Sequence, residues 1–296
     1  MGTIITATGV SVDKEINSSM DHAFKAAENC ITNGNIDRTE IDVVINTGVF
    51  RDYNLFEPSV AILIQRKLGI STGYSNDKHV LSFDLMNGAC GFLYAAQAAD
   101  SIFRSTSMRK ALLISSDSHP SREKVPGFPY SHLGAAMVLE WDENSSKGFE
   151  KFEFKTGVTD FNGVDAYMDT MNQGSKGRES ISIRKDDNYV ERLSSFAVQS
   201  IEEYLKSTDM AAADLKGLKL LTTQPAENFR STVAGAIDSI ETVGENMYKK
   251  YGDVHSSALN VAYHDAFKEG MIQENDRLLF SASGAGLTSG TVLYNN

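Results

Sequence analysis

The segment Phe83-Asp84-Leu85-Met86-Asn87-Gly88-Ala89-Cys90-Gly91-Phe92 is an extended run that breaks at small residues, carries one cysteine and enters an amphipathic helix. A thiol at a helix start lies at the positive end of the macrodipole, beside backbone N–H groups without intrahelical partners. Its pKa falls there, and the same N–H groups can receive an oxyanion. The residue types and their order therefore suit an acyl-thioester site with Cys90 as nucleophile. The plainer reading is a small, buried cysteine in a tightly packed helix start. The second cysteine, Cys30, sits on a polar helix end far from any glycine turn and reads as structural.

Other chemistries are excluded more easily. Two cysteines are too few for a disulfide framework, fit a reducing compartment and lack metal-ligand spacing, so no metal is expected. A formal charge of −11 without a Lys/Arg cluster argues against a nucleic-acid surface. Polar residues interrupt every apolar run well short of the roughly 18 residues that span a bilayer, and Met1-Gly2-Thr3 leads straight into a strand. The expectation is a soluble cytoplasmic protein without a membrane segment. Gly284-Ala285-Gly286 follows a strand, but no helix with an acidic ribose partner comes after it, so it is a poor nucleotide loop.

The elements that must hold this chemistry are helices alternating with short apolar strands. Periodicity predicts helices over 17–32 and 58–68, strands over 42–46 and 80–85, a helix from about Gly88, and a strand over 111–115. After Trp141 a polar turn intervenes, and residues 157–187 are polar and weakly periodic, an excursion between two halves. Helices over 189–206 and 256–268 then each precede a strand, at 216–222 and 277–281. Ala213-Asp214-Leu215 echoes Thr39-Glu40-Ile41, so the order of elements suggests an internal duplication, with a single α/β domain as the rival. The expected halves are 1–160, with Cys90, and 161–296.

The run from Phe83 to Phe92, then Tyr94-Ala95, Ala98-Ala99-Asp100, Arg104-Ser105 and Lys110-Ala111-Leu112-Leu113-Ile114-Ser115-Ser116-Asp117, resembles the nucleophile segment of ketoacyl-ACP synthase III. Gly252-Asp253-Val254-His255-Ser256-Ser257-Ala258 resembles that family's Gly-Asn-Thr-Ser-Ala-Ala-Ser turn. Asp276-Arg277-Leu278-Leu279 and Ser283-Gly284-Ala285-Gly286-Leu287-Thr288-Ser289-Gly290 resemble its closing strand and glycine loop. The resemblance covers most of the chain in order. It implies a thiolase-like α/β fold, two pseudo-symmetric halves each with a mixed sheet between helices. It also implies acyl transfer or condensation on acyl-CoA or acyl-carrier protein, in fatty-acid-related or secondary (polyketide) metabolism. No cofactor would be tightly bound, and coenzyme A or phosphopantetheine would serve as carrier.

All three positions of the family's Cys-His-Asn set are altered. Without a gap, Ala89 stands at the family cysteine and Cys90 one residue later, a rotation of about 100° on a helix. Gln224 stands at the histidine; it can donate a hydrogen bond but cannot take up a proton near neutral pH. Asp253 stands at the asparagine, and His255, two residues on, is the candidate replacement base, with a helix-start hydrogen bond as its plainer reading. The resemblance thus assigns catalysis to Cys90, His255 and Asp253, and substrate binding to Gln224, Asn228, Gly284, Ala285 and Gly286. An oxygen or nitrogen acceptor fits better than carbon–carbon condensation, because a carboxylate would repel an enolate. The family's Trp- and Arg-bearing segment before the first helix is shortened here to roughly ten residues. The competing reading is a catalytically inactive subunit that pairs with an active ketosynthase homologue; otherwise a homodimer is expected.

Overall fold

The structure, a computed structural model, describes residues 1–73, 78–144, 146–157, 163–208, 210, 215–237 and 240–296, apart from the side chains of residues 178 and 179. Ala213 and Asp214 of the expected echo, and residues 158–162 of the expected excursion, lie outside the described residues.

The first half runs β1 (Gly2–Ser11), α1 (Ser19–Gly34), β2 (Val43–Asn46), α2 (Val60–Leu68), β3 (Leu81–Asp84), α3 (Gly91–Ser105), β4 (Lys110–Asp117) and β5 (Leu133–Asp142). The remainder runs β6 (Gly148–Phe149), β7 (Glu153–Thr156), β8 (Val164–Tyr167), α4 (Thr170–Gln173), β9 (Ser182–Lys185), α5 (Tyr189–Ser207), β10 (Lys219–Thr222), α6 (Phe229–Gly235), β11 (Glu241–Thr242), α7 (Met247–Tyr251), α8 (Ala258–Lys268), β12 (Arg277–Gly284) and β13 (Thr288–Asn295).

Two sheets share one connectivity. The first has the order β1-β5-β4-β2-β3 and the second β6-β13-β12-β10-β11. In each, the central strand pairs in parallel with one neighbour and antiparallel with the other: β1, β2, β3 and β4 share one direction and β5, inserted between β1 and β4, runs against them, as β13 does between β6 and β12 in the second sheet. Residues 148–156, assigned by the expected division at 160 to the first half, hydrogen-bond to β13 in the second sheet. The excursion contains the β8–β9 hairpin, which lies apart from both sheets.

Burial explains the layering. One core joins the inner faces of both sheets to α3 and α8, a second packs α1 and α2 on the outside of the first sheet, and a third packs α5 and α6 on the outside of the second. The result is five layers, α/β/α/β/α. Helices α3 and α8 are covered by sheet on two sides, which their compositions permit: Ala95, Ala96 and Ala99 on α3 and Ala258, Ala262 and Ala266 on α8 let backbones approach closely. The strand β4 is buried along its whole length, down to Asp117 at its end. Local ties fix the ends of elements near the site. Ser18 caps α1 through the Asp21 amide, and the Asp84 carboxylate accepts the Val60 and Ala61 amides at the start of α2 while pairing with Arg51 at 2.7 Å.

Candidate active site

The central helices α3 and α8 are each preceded by a single 3-10 turn, Gly88–Cys90 and His255–Ser257, and these two turns meet. Above them opens a cavity of about 440 Å³ lined by Asn87, Gly88 and Ala89 from the first turn, Asp253 and His255 from the second, and Thr223, Gln224, Ser283, Gly284 and Ala285 from the ends of β10 and β12. Its far wall comes from Phe50, Tyr130, Tyr189 and the β8–β9 hairpin.

His255 is held against two aromatic rings and at one nitrogen. Its Nδ1 lies 3.1 Å from Asp117 Oδ1, and the other Asp117 oxygen accepts the Ser256 amide at 3.0 Å and the Ser256 hydroxyl at 2.7 Å. An ionised carboxylate only accepts, so the contact assigns the proton to Nδ1 and leaves the Nε2 lone pair facing the first turn. Tyr130 stacks on the imidazole with centroids 4.1 Å apart, and Phe50 lies at 5.8 Å. Burial disfavours the imidazolium, but the Asp117 charge and hydrogen bond, with Asp253 beyond, outweigh it and hold the His255 pKa above the usual imidazole value. The backbone of His255 lies at φ 34°, a left-handed conformation that costs a non-glycine residue energy and concentrates at functional positions.

The first turn is shaped to admit that imidazole. Gly88 lies at φ 47°, and a Cβ built there would stand 3.3 Å from His255 Nε2, so both conformation and space demand glycine. Ala89 lines the cavity, and a Cβ on Gly284 would approach its methyl group at 3.4 Å.

Cys90 is placed elsewhere. Its side chain is fully buried in the core between the sheets, its Sγ lies 3.5 Å from the Thr288 carbonyl oxygen, and it does not line the cavity. Burial pushes the thiol up to about 12, against a small opposing pull from a backbone hydrogen bond at Gly290. The expected nucleophile is thereby corrected to a core residue. At three residues per 3-10 turn, adjacent side chains point about 120° apart, so the turn that presents Ala89 to the cavity turns Cys90 into the core. The ungapped register, with Ala89 at the family's cysteine position, is the one that matches the cavity lining.

The remaining expected site residues divide. Gln224, Gly284 and Ala285 line the cavity. Gln224 Oε1 accepts the Met247 amide at 2.9 Å, which fixes the side-chain amide and leaves its nitrogen as the donor for the cavity. Thr223 braces the same loop, its hydroxyl 3.1 Å from the Ser283 amide that donates to it. Asp253 lines the cavity and accepts the His255 amide through Oδ1 at 3.0 Å; it does not orient the imidazole, a task that falls to Asp117. Burial raises the Asp253 pKa against the opposing pull of His255 and Lys185. Asn228 starts α6 and lines a separate groove along α5 and α6, and Gly286 is not among the cavity residues. Neither of these two expected substrate-binding residues lines the cavity that holds Gln224, Gly284 and Ala285.

Asp117 and Tyr130 were not singled out from sequence. A carboxylate at the end of a strand buried along its length, after the apolar run 111–114, was the available signal for Asp117, since such a charge is retained only with partners. Nothing local marked Tyr130, which arrives from a loop.

The five-layer architecture with its repeated sheet defines a thiolase-fold protein. Solved structures share it end to end: 3-oxoacyl-(acyl carrier protein) synthase III, FabH, from Pseudomonas aeruginosa PAO1 superposes with a TM-score of 0.80 at 17% identity, covering 100% of this chain and 98% of that one. The priming β-ketosynthase of the R1128 polyketide pathway gives 0.79 at 14%, covering 99% and 96%. Within that fold the chain resembles the ketoacyl-ACP synthase III branch. Residues 219–295 match the family model described as 3-oxoacyl-[acyl-carrier-protein (ACP)] synthase III C terminal. Curated β-ketoacyl-[acyl-carrier-protein] synthases III are similar over nearly the whole chain: that of Rickettsia bellii is 29% identical across 98% of this chain and 89% of its own, and that of Koribacter versatilis 26% across 98% and 88%.

Proposed function

We propose that this protein is an acyltransferase of the ketoacyl synthase III kind, acting on acyl-CoA or acyl-carrier-protein thioesters, in which His255 is the general base and no acyl-cysteine forms. The observation that carries this reading is the His255–Asp117 pair, with Nε2 turned to the Gly88 turn that lines the cavity. The thioester carbonyl lies against the Gln224 amide nitrogen and the Gly284–Ala285 backbone, which supply hydrogen-bond donors for the developing oxyanion. His255 takes a proton from an acceptor, whose lone pair attacks the carbonyl carbon; the C–S bond breaks and the proton passes to the leaving thiolate. Direct transfer replaces the covalent route because Ala89 offers no nucleophile and the buried Cys90 thiol stays protonated.

The acyl carriers are substrates, so the reading calls for no tightly bound cofactor. Among the described residues no group of three His, Cys, Asp or Glu side chains is arranged to hold a metal ion, and no helix is long and apolar enough to cross a membrane. A cytoplasmic dimer, with itself or with a ketosynthase homologue, goes with this assignment. The alternative of an inactive partner subunit draws no support from the relatives, which are named as synthases. The test follows thiol release from acyl-CoA and acyl-carrier protein with oxygen and nitrogen acceptors, beside the intact mass of the protein. Release that vanishes in His255→Ala without an acyl adduct supports the reading; an adduct abolished by Cys90→Ala overturns it.

A further inference from the structure

The cavity contains a second carboxylate that general-base catalysis by His255 does not require. Asp253 uses Oδ1 to accept the His255 amide, and among the described residues no hydrogen bond reaches its Oδ2. A mostly buried carboxylate with one oxygen open to a cavity is costly unless a cation or donor meets it there. The walls beside it already accommodate an ammonium group: the Lys185 Nζ lies 5.1 Å from the Tyr189 ring centroid, and the Lys185 charge favours the ionised form of Asp253. Lys185 is the one lysine or arginine among the described lining residues, and it stands exposed on β9 at the cavity edge.

Resting on the acyltransferase reading, we propose that the acceptor is a primary amine, which binds as its ammonium between Asp253 and the Tyr130 and Tyr189 rings and is acylated on nitrogen. The choice among acceptors follows from charge. An alcohol brings no charge to Asp253 and leaves it to the exposed Lys185 at the cavity edge. A carboxylated carbon nucleophile brings a like charge to the Asp253 carboxylate that lines the same cavity. An ammonium neutralises Asp253, and its proton is then within the province of His255.

The reaction balances as R–CO–S–R′ + R″–NH3⁺ → R–CO–NH–R″ + R′–SH + H⁺. The ammonium loses one proton before attack, through His255 to solvent. The free amine lone pair forms the C–N bond, the C–S bond breaks, and the second nitrogen proton is carried by His255 to the leaving thiolate.

The experiment offers acyl-CoA to the full chain with matched series of alkyl and arylalkyl amines, the corresponding alcohols, and malonyl-CoA. Thiol release and products are read by mass spectrometry. Amide formation preferred over ester by at least tenfold in kcat/KM is expected. In Asp253→Asn, whose amide oxygen can still accept the His255 N–H, the amine KM rises at least tenfold with a smaller change in kcat. In Lys185→Ala, an exposed position, removal of the competing cation lowers the amine KM several-fold. Thiol release with alcohols or malonyl-CoA favoured over amines, or an amine KM indifferent to both substitutions, overturns the amine assignment while leaving the acyltransferase reading intact. No thiol release with any acceptor overturns both.

Discussion

The turns before α3 and α8 are counterparts in the two halves of the fold, yet they have opposite chemistry. The first, Gly88–Cys90, offers the cavity a glycine and a methyl group and turns its only reactive atom into the core. The second, His255–Ser257, holds an imidazole at positive φ against a wholly buried carboxylate. A helix start lowers a thiol pKa only where the thiolate can be solvated or paired. At Cys90 desolvation wins and the thiol rises to about 12. At His255 a nearby opposite charge outweighs the same desolvation. Position at a helix terminus is therefore permissive, and the surroundings decide which turn can do acid–base work.

The comparison breaks most visibly at the base. His255→Ala is expected to lower turnover about 10²- to 10⁴-fold, the usual reach of general-base catalysis, as measured by thiol release. Equal rates in the variant would return the chemistry to the first turn. Asp117→Asn carries two effects. It leaves a buried donor on Ser256 or His255 poorly matched, at a cost of about 1–3 kcal/mol in denaturant titration. It also changes the pH profile. Activity requires neutral His255, so the wild-type rate rises with pH through a limb above the ordinary imidazole pKa. Removing the carboxylate charge moves that limb to lower pH, while the plateau rate falls.

Gly88→Ala forces a Cβ against Nε2 in a left-handed backbone, with a stability loss of about 1–2 kcal/mol and a loss of turnover larger than its loss of folded protein. Ala89→Cys sharpens the contrast by gain: a thiol facing the cavity should alkylate with iodoacetamide in the native protein, where Cys90 and Cys30 resist. Smallest of all, Cys90→Ala should leave kcat unchanged and cost about 1–2 kcal/mol for the lost core volume, read by thermal unfolding.

Much of this was legible in the residues. Apolar periodicity placed α1, α2, α5 and the central strands within one to three residues, because each buries a continuous face that must repeat at 3.6 or lie as a short unbroken apolar run. The repeated order of helix and strand reappears as two sheets of identical connectivity. Motif reading brought Gln224, Asp253, His255, Gly284 and Ala285 to one cavity. Asn228 lies outside that cavity because the start of α6 faces a groove along α5, a direction that spacing does not encode.

Sequence by itself determined the layered α/β architecture and the two segments that meet at its centre, since both follow from local pattern and burial. Only the tertiary structure decided which atoms those segments present. The side-chain direction at Cys90 turns on the pitch of one 3-10 turn, and the partner of His255 stands 138 positions away on β4. Long-range pairing brings Asp117 to that imidazole, and nothing in either segment alone records it.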